Sequence, residues 1–169
     1  MPNQEQAERQ EAGKLDALRE AMVDSIGRRT AGDTDSSTPI SSLSFFRREM
    51  PMPPTICLVA AGIVLVVQGE KQMLVGGEAY PYDIHRFLIT SLDLPANSRI
   101  VSASPEKPCL GLVLRLDLRI MAELIAQGGL PLPTARANDR SVGIGTVTPV
   151  LVEPFKRLLD LLDEPDTIP

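Results

Sequence analysis

Between Thr55 and Ser91 the chain reads TICLVAAGIVLVVQGEKQMLVGGEAYPYDIHRFLITS. Apolar, β-branched segments are cut by Gln68-Gly69-Glu70-Lys71, by Gly76-Gly77 and by Tyr82-Asp83-Ile84-His85. Short runs of this kind between turn residues predict a meander of antiparallel strands. Strands so continuously apolar are buried on both faces. The stretch therefore predicts the wall of a small β-barrel or jelly roll, lined by apolar side chains inside and covered by helices or a second sheet outside.

The flanks supply the cover. Leu15, Leu18, Met22 and Ile26 recur at spacings of three and four within residues 4–29, which predicts a helix docked by a narrow stripe. Thr30 to Ser42 has the composition of a linker, Leu43 to Arg47 that of a short first strand, and Met50 to Pro54 is extended because its prolines exclude helix. Within the meander, Ile56–Val59 and Ile63–Val67 are expected strands around a bend at Ala60-Ala61-Gly62, followed by strands at Lys71–Val75, Glu78–Tyr82 and Arg86–Ser91. Arg99–Ala103 and Cys109–Leu116 continue the sheet. In the second, Leu110, Leu112, Leu114 and Leu116 alternate with Cys109, Gly111, Val113 and Arg115.

Asp117 is placed to cap a helix over 118–127, Pro131 to Asn138 reads as a loop, and Ser141 to Val147 as a last edge strand. Thr148-Pro149 opens a further helix to about Asp163, with Pro154 either inside it or marking a later start near Glu153. The expected class is α+β, mainly β. The expected division is an N-terminal helix (1–30), a linker and first strand (31–54), a barrel with an inserted helix (55–148), and a C-terminal helix leading into a linker (149–169).

Composition narrows the chemistry. The 169 residues carry a net charge of −5, and the longest basic clusters are Arg28-Arg29 and Arg47-Arg48, which argues against direct nucleic-acid binding by these residues. With four Phe, two Tyr and no Trp, the core must be mostly aliphatic. Cys57 and Cys109 sit in apolar runs with no Lys or Arg immediately beside them, the pattern of buried, reduced thiols. The apolar run Ile56–Val67 is too short for a helical membrane span, and the polar, acidic start has no signal-peptide core, so a cytoplasmic location is expected. One histidine cannot build the multi-histidine site of a metal enzyme, and no cofactor is expected. His85 is expected at a turn position with left-handed backbone. No nucleophile elbow is present, and Gly76-Gly77 and Gly143-Ile144-Gly145 lack the spacing of a phosphate cradle.

What remains is an apolar interior. Its expected lining is Cys57, Val59, Val64, Met73, Phe87, Ile89 and Gly111, with Gly111 leaving room for a neighbour or a ligand.

The order of these elements resembles the N-terminal domain of AraC-type bacterial transcriptional regulators. The resemblance rests on TPISSLSFFR (Thr38 to Arg47), LVVQGEKQMLVGGEAYPYD (Leu65 to Asp83), FLITSLDLP (Phe87 to Pro95), SASPEKPCLGLVLRLDL (Ser102 to Leu118) and RLLDLLDEPDTIP (Arg157 to Pro169). It implies a cupin-like jelly-roll barrel with an N-terminal helix and two C-terminal helices packed outside. It also implies a non-enzymatic sensor of a small effector, ahead of a helix-turn-helix DNA-binding region that would make the DNA contacts. Helix pairing in the family points to a homodimer through Leu158, Leu159, Leu161 and Leu162. Val59-Ala60-Ala61 and Ile84-His85 stand where relatives carry more polar or Pro-Gly sequences, which implies a less polar pocket. Two other functions are compatible with the residues: a dimerisation module with a filled barrel, and a cupin enzyme.

Overall fold

The computed structural model describes residues 3–128 and 141–164. Helix α1 (Asn3–Arg29) is followed by strands β1 (Asp35–Ser37), β2 (Leu43–Arg48), β3 (Met52–Val59), β4 (Gly62–Gln68), β5 (Glu70–Val75), β6 (Glu78–Asp83), β7 (Arg86–Thr90), β8 (Leu94–Ser102) and β9 (Cys109–Arg115). Helix α2 (Leu118–Ala126), strand β10 (Val142–Thr146) and helix α3 (Pro149–Leu161) complete the order. Among the described residues the fold is mainly β, 42% strand, a curled antiparallel half-barrel with three helices. The loop expected over Pro131–Asn138 and the last residues of the chain lie outside the described residues.

The sheet order is β1-β2-β9-β4-β7-β6-β5-β8-β3, with β10 added on β7. The expected meander holds only for β5-β6-β7. The Gly76-Gly77 turn, both residues at positive φ, closes the β5–β6 hairpin. β3 and β4 do not pair with each other: β3 runs beside β8, and β4 lies between β9 and β7. The bend at Ala60-Ala61 is a crossing between the two halves of the sheet. Asp93 Oδ1 accepts from Ala61 N–H at 2.8 Å, and the buried Thr90 hydroxyl donates to Ala60 O at 2.8 Å. The segment expected as a pure linker contains β1, which pairs with β2.

The alternation along β4 and β9 divides the core. Leu65 and Val67 of β4, with Leu110 and Leu112 of β9, face Met22 and Ile26 of α1 and Val152, Phe155 and Leu159 of α3. Val64 and Val66, with Cys109, face the inside of the curl. A side-chain period of two therefore supplies two cores from one pair of strands. Lys14 Nζ meets Glu153 at 3.3 Å and Arg29 pairs with Asp163, so α1 and α3 are tied at two places as well as packed.

Both predicted helix caps are present. Asp117 accepts from Arg119 N–H at 2.8 Å, and Thr148 Oγ1 from Leu151 N–H at 3.3 Å. α3 starts at Pro149 and runs through Pro154. α2 carries no buried residue and leaves Leu118, Ile120 and Leu124 exposed, so of the two C-terminal helices only α3 is packed on the sheet. Among the described residues no helix is long and apolar enough to cross a membrane.

The leucine face expected at a dimer contact is used within the chain. Leu159 is 0% exposed and Leu162 7%, both in the core shared with α1, and Leu158 packs against that core. Only Leu161 stands exposed. The stripe on α1 needs a surface, and α3 provides part of it with Leu159 and Leu162, which leaves Leu161 and part of Leu158 on the outside.

Leu159→Ala should lower stability in chemical denaturation by about 2–5 kcal/mol through the cavity it leaves. Leu161→Ala should change it by less than about 0.5 kcal/mol. Equal losses for the two would contradict the placement of α3.

Candidate functional site

The inner face of the curl is a trough. Four strands contribute one row of it: Met52 of β3 pairs with Ile100 of β8, Ile100 with Lys71 of β5, and Lys71 with Tyr82 of β6. Opposite lies a second row, Phe46 of β2 beside Gly111 of β9 beside Val66 of β4. Lys71 spans the gap. Its ammonium stands 4.1 Å from the Phe46 ring centroid and 5.9 Å from that of Tyr82. Lys71 as a whole is half-buried, its ammonium resting on these rings.

The expected lining divides between the two faces. Val64 and Met73 are buried on the trough side, and Cys57 and Val59 pack against it while remaining partly exposed. Gly111 also faces inward, but the room it leaves is taken by a neighbour. A Cβ there would meet Phe46 Cζ at 2.4 Å and Leu65 O at 2.3 Å. Phe87 and Ile89 do not line the trough. Phe87 packs with the helix-side core, and Ile89 is 38% exposed. Leu88 and Thr90 point inward in their place. The cause is β10, whose Gly145 and Gly143 pair with Phe87 and Ile89. A Cβ on Gly145 would lie 2.3 Å from the Phe87 ring, so these glycines make the space in which the outer residues of β7 sit. A slip of one residue exchanges every side chain between faces.

Three residues of the trough were missed from sequence: Lys71, Tyr82 and Phe46. Lys71 opens the expected strand Lys71–Val75 and shares parity there with Met73 and Val75, so the signal lay in the alternation along that strand. Tyr80 and Tyr82 follow the same rule on β6. The interior is more polar at its centre than the expected pocket.

That polarity is uncompensated. Among the described residues Lys71 has no ion pair and no hydrogen-bond acceptor, and its ammonium rests on the two aromatic faces. Burial pushes its ammonium below the ordinary lysine range, opposed by Cys109, Cys57 and Asp35, while Arg48 adds to the depression. Arg48 is itself neutralised by Asp35, at 3.0 and 3.2 Å. Tyr82 is 0% exposed and its hydroxyl lacks a partner. Burial raises that phenol far above its usual value; Ser98 tempers the rise without standing in hydrogen-bond geometry. Burial also pushes the Cys109 thiol up to about 11, which makes it a poor nucleophile at neutral pH. One buried donor without an acceptor, the Tyr82 hydroxyl, and one half-buried ammonium, that of Lys71, thus face the apolar trough.

A cleft of about 760 Å³ lies elsewhere, between α1 and the β4–β5 end of the sheet, lined by Arg19, Asp24, Glu70, Asp83 and Lys107 among others. It is open, and its charges are of both signs. It brings together no buried unpartnered group, so the trough is the better candidate. His85 is a turn residue of negative φ, not left-handed; its N–H donates to Asp83 Oδ1 at 2.9 Å, and that carboxylate shapes the turn. Among the described residues no three His, Cys, Asp or Glu side chains come together as a metal site.

Lys71→Met replaces an unpartnered ammonium by an apolar chain of similar length. Urea unfolding should give a gain of about 1 kcal/mol, the relief of burial less the lost cation–π contact; a loss would mark Lys71 as a structural residue. In native protein at pH 8, iodoacetamide should label Cys57 before Cys109. Peptide mass spectrometry reads the order, and equal labelling would contradict the enclosure of Cys109.

Residues 39–169 match the family described as AraC-type transcriptional regulator N-terminus. Among curated proteins none matches. Two solved structures are similar in fold. Apo ToxT from Vibrio cholerae, a point variant, superposes with a TM-score of 0.49 at 5% identity, covering 74% of this chain and 49% of that one. ToxT from Vibrio cholerae bound to (E)-4-(8-methylnaphthalen-1-yl)but-3-enoic acid gives 0.43 at 8% identity, covering 69% and 47%. The chain therefore spans about half the length of the ToxT chains it resembles. With the family matched over most of its length, this chain belongs to the AraC-type transcriptional regulators, as an N-terminal domain of that family.

Proposed function

We propose that this domain senses a small, mostly apolar effector held in the trough and relays its presence to a helix-turn-helix DNA-binding region of the full-length regulator. In this reading it acts as a homodimer in the cytoplasm, contacts DNA only through that other region, needs no cofactor, and turns over no substrate. The observation that carries the reading is the trough itself: partly exposed inward side chains, Cys57, Val59 and Val113, around the half-buried Lys71 ammonium and the buried, unpartnered Tyr82 hydroxyl.

The route outward is short. Val64 and Val66 face the trough, while Leu65 and Val67, the intervening residues of β4, support α1 and α3. An effector that binds one position of β4 better than another biases the helices on its reverse face. Only that difference in affinity moves the equilibrium. Because Leu159 and Leu162 are packed under α1, self-association through α3 has Leu161 and part of Leu158 to use.

A second reading, a dimerisation module with a filled interior, is favoured by one contact: the Phe46 ring occupies the space over Gly111. Thermal denaturation against a set of small apolar acids and alcohols separates the two. An effector at one hundred times its Kd should raise Tm by roughly 5–10 °C. A flat response across the set, with the protein still dimeric by light scattering, would favour the filled module.

A further inference from the structure

We propose that the open half of β3, residues 55–59, is the seam of a homodimer, pairing antiparallel with the same strand of a second copy so that Cys57 lies opposite its own counterpart. The proposal rests on the homodimer reading above and names the surface that reading uses.

β3 ends the sheet: among the described residues it pairs with β8 on one side and with no strand on the other. A free edge is normally shielded by shortness, charge or proline. The opposite edge is shielded, since β1 has three residues, all polar, with Asp35 held by Arg48. The first half of β3 is shielded too, by Pro53, Pro54 and the irregular register between Met52 and Thr55. Residues 55–59, Thr-Ile-Cys-Leu-Val, have none of these guards, and no charged residue occurs from Met50 to Gly69. Ile56 and Leu58 are 79% and 75% exposed on the face away from the trough, because Cys57 and Val59 pack against its core. By comparison, Leu161 of α3 is 39% exposed, and the exposed residues of α2 sit on a helix, whose main chain bonds within itself.

The main chain selects both the partner and the register. Leu58 lies opposite Pro95, which has no N–H, so the bonds to β8 fall on the flanking pairs, Cys57 with Ala96 and Val59 with Leu94. The N–H and C=O groups of Ile56 and Leu58 therefore point off the sheet. Their spacing of two is the pattern one antiparallel strand presents to another. About a two-fold axis at Cys57, Ile56 exchanges two bonds with Leu58 of the copy, and Leu58 exchanges two with Ile56. An axis at Ile56 would set Leu58 against Pro54, and an axis at Leu58 would set Ile56 against Ala60, beyond the end of the strand. The Cys57 register uses all of the free groups. It also gathers the exposed Ile56 and Leu58 of both copies into one apolar cluster on the outer face, and the uncharged strand has nothing to repel its copy. A seam this short is small against the roughly 1,200–2,000 Å² of a stable interface, so the pair forms at micromolar concentration and above.

Sedimentation velocity on the chain over about 1–300 µM reads the association, and the wild type should pass from monomer to dimer across that range. Ile56→Lys combined with Leu58→Lys sets ammonium groups opposite one another and should weaken the dimer about tenfold or more, while Ile120→Lys and Leu161→Lys leave it unchanged. Hydrogen exchange, read by mass spectrometry with fragmentation to single residues, should find the Ile56 and Leu58 amides fast and the Cys57 amide slow in dilute protein, and all three slow in concentrated protein. A non-hydrogen-bonded pair stands about 4.5 Å apart at Cα, within reach of a disulfide. Diamide, reduced to its hydrazine as it takes the two thiol hydrogens, should therefore link the copies through Cys57; Cys57→Ser should not link and should remain dimeric. Circular dichroism establishes that each variant is folded. A dimer that survives the double lysine variant, or that Ile120→Lys or Leu161→Lys breaks, overturns the seam and keeps the homodimer reading. A chain that stays monomeric to the top of the range overturns both.

Discussion

The architecture depends on β4 and β9 being apolar on both faces. A strand with one wet face needs a single layer of cover; these two need a layer on each side. On one side α1 and α3 meet that need with Met22, Ile26, Val152 and Phe155. On the other the sheet curls until β5, β6 and β8 face it. The helices and the trough are two answers to the same requirement. This is why an event inside the curl is one residue away from the helices outside it.

Against that apolar background Tyr82 stands out as a group that weakens the fold. A buried donor without an acceptor lowers stability relative to an apolar residue of the same shape. Cores usually avoid this, and local departures from good packing gather where a protein does its work. The cysteines have a different part. Burial keeps Cys109 protonated, so it behaves as lining and not as reactive chemistry.

Much of the fold could be read from local pattern. The α1 stripe, both helix caps, the hairpin at Gly76-Gly77 and the alternation along β9 follow from spacing within one element, and each is where the pattern put it. What failed was pairing at a distance. Nothing local in Ile56–Val67 says that β3 leaves for β8, and nothing in Arg86–Thr90 says that β10 will lie beside it. The second failure inverted the faces of β7 and put Phe87 and Ile89 on the wrong side. A matching signal was present: glycines two apart in SVGIGTV, opposite large residues two apart in RFLIT. Lys71 was within reach of the pattern: it shares parity with Met73 in the expected strand, and an expected lining drawn from apolar residues alone passes over a charged one. The leucines of α3 were read for their apolarity, which cannot distinguish a contact within a chain from one between chains.

The seat of Phe46 links two sites that are far apart in the sequence. Its ring rests where Gly111 has no side chain, and the Lys71 ammonium rests on the ring. Position 111 therefore governs the height of a charge it never touches. Descendants of this chain are constrained to alter 46 and 111 together or leave both alone. A paired exchange there would retune the lysine's surroundings while every residue around an occupant stayed the same.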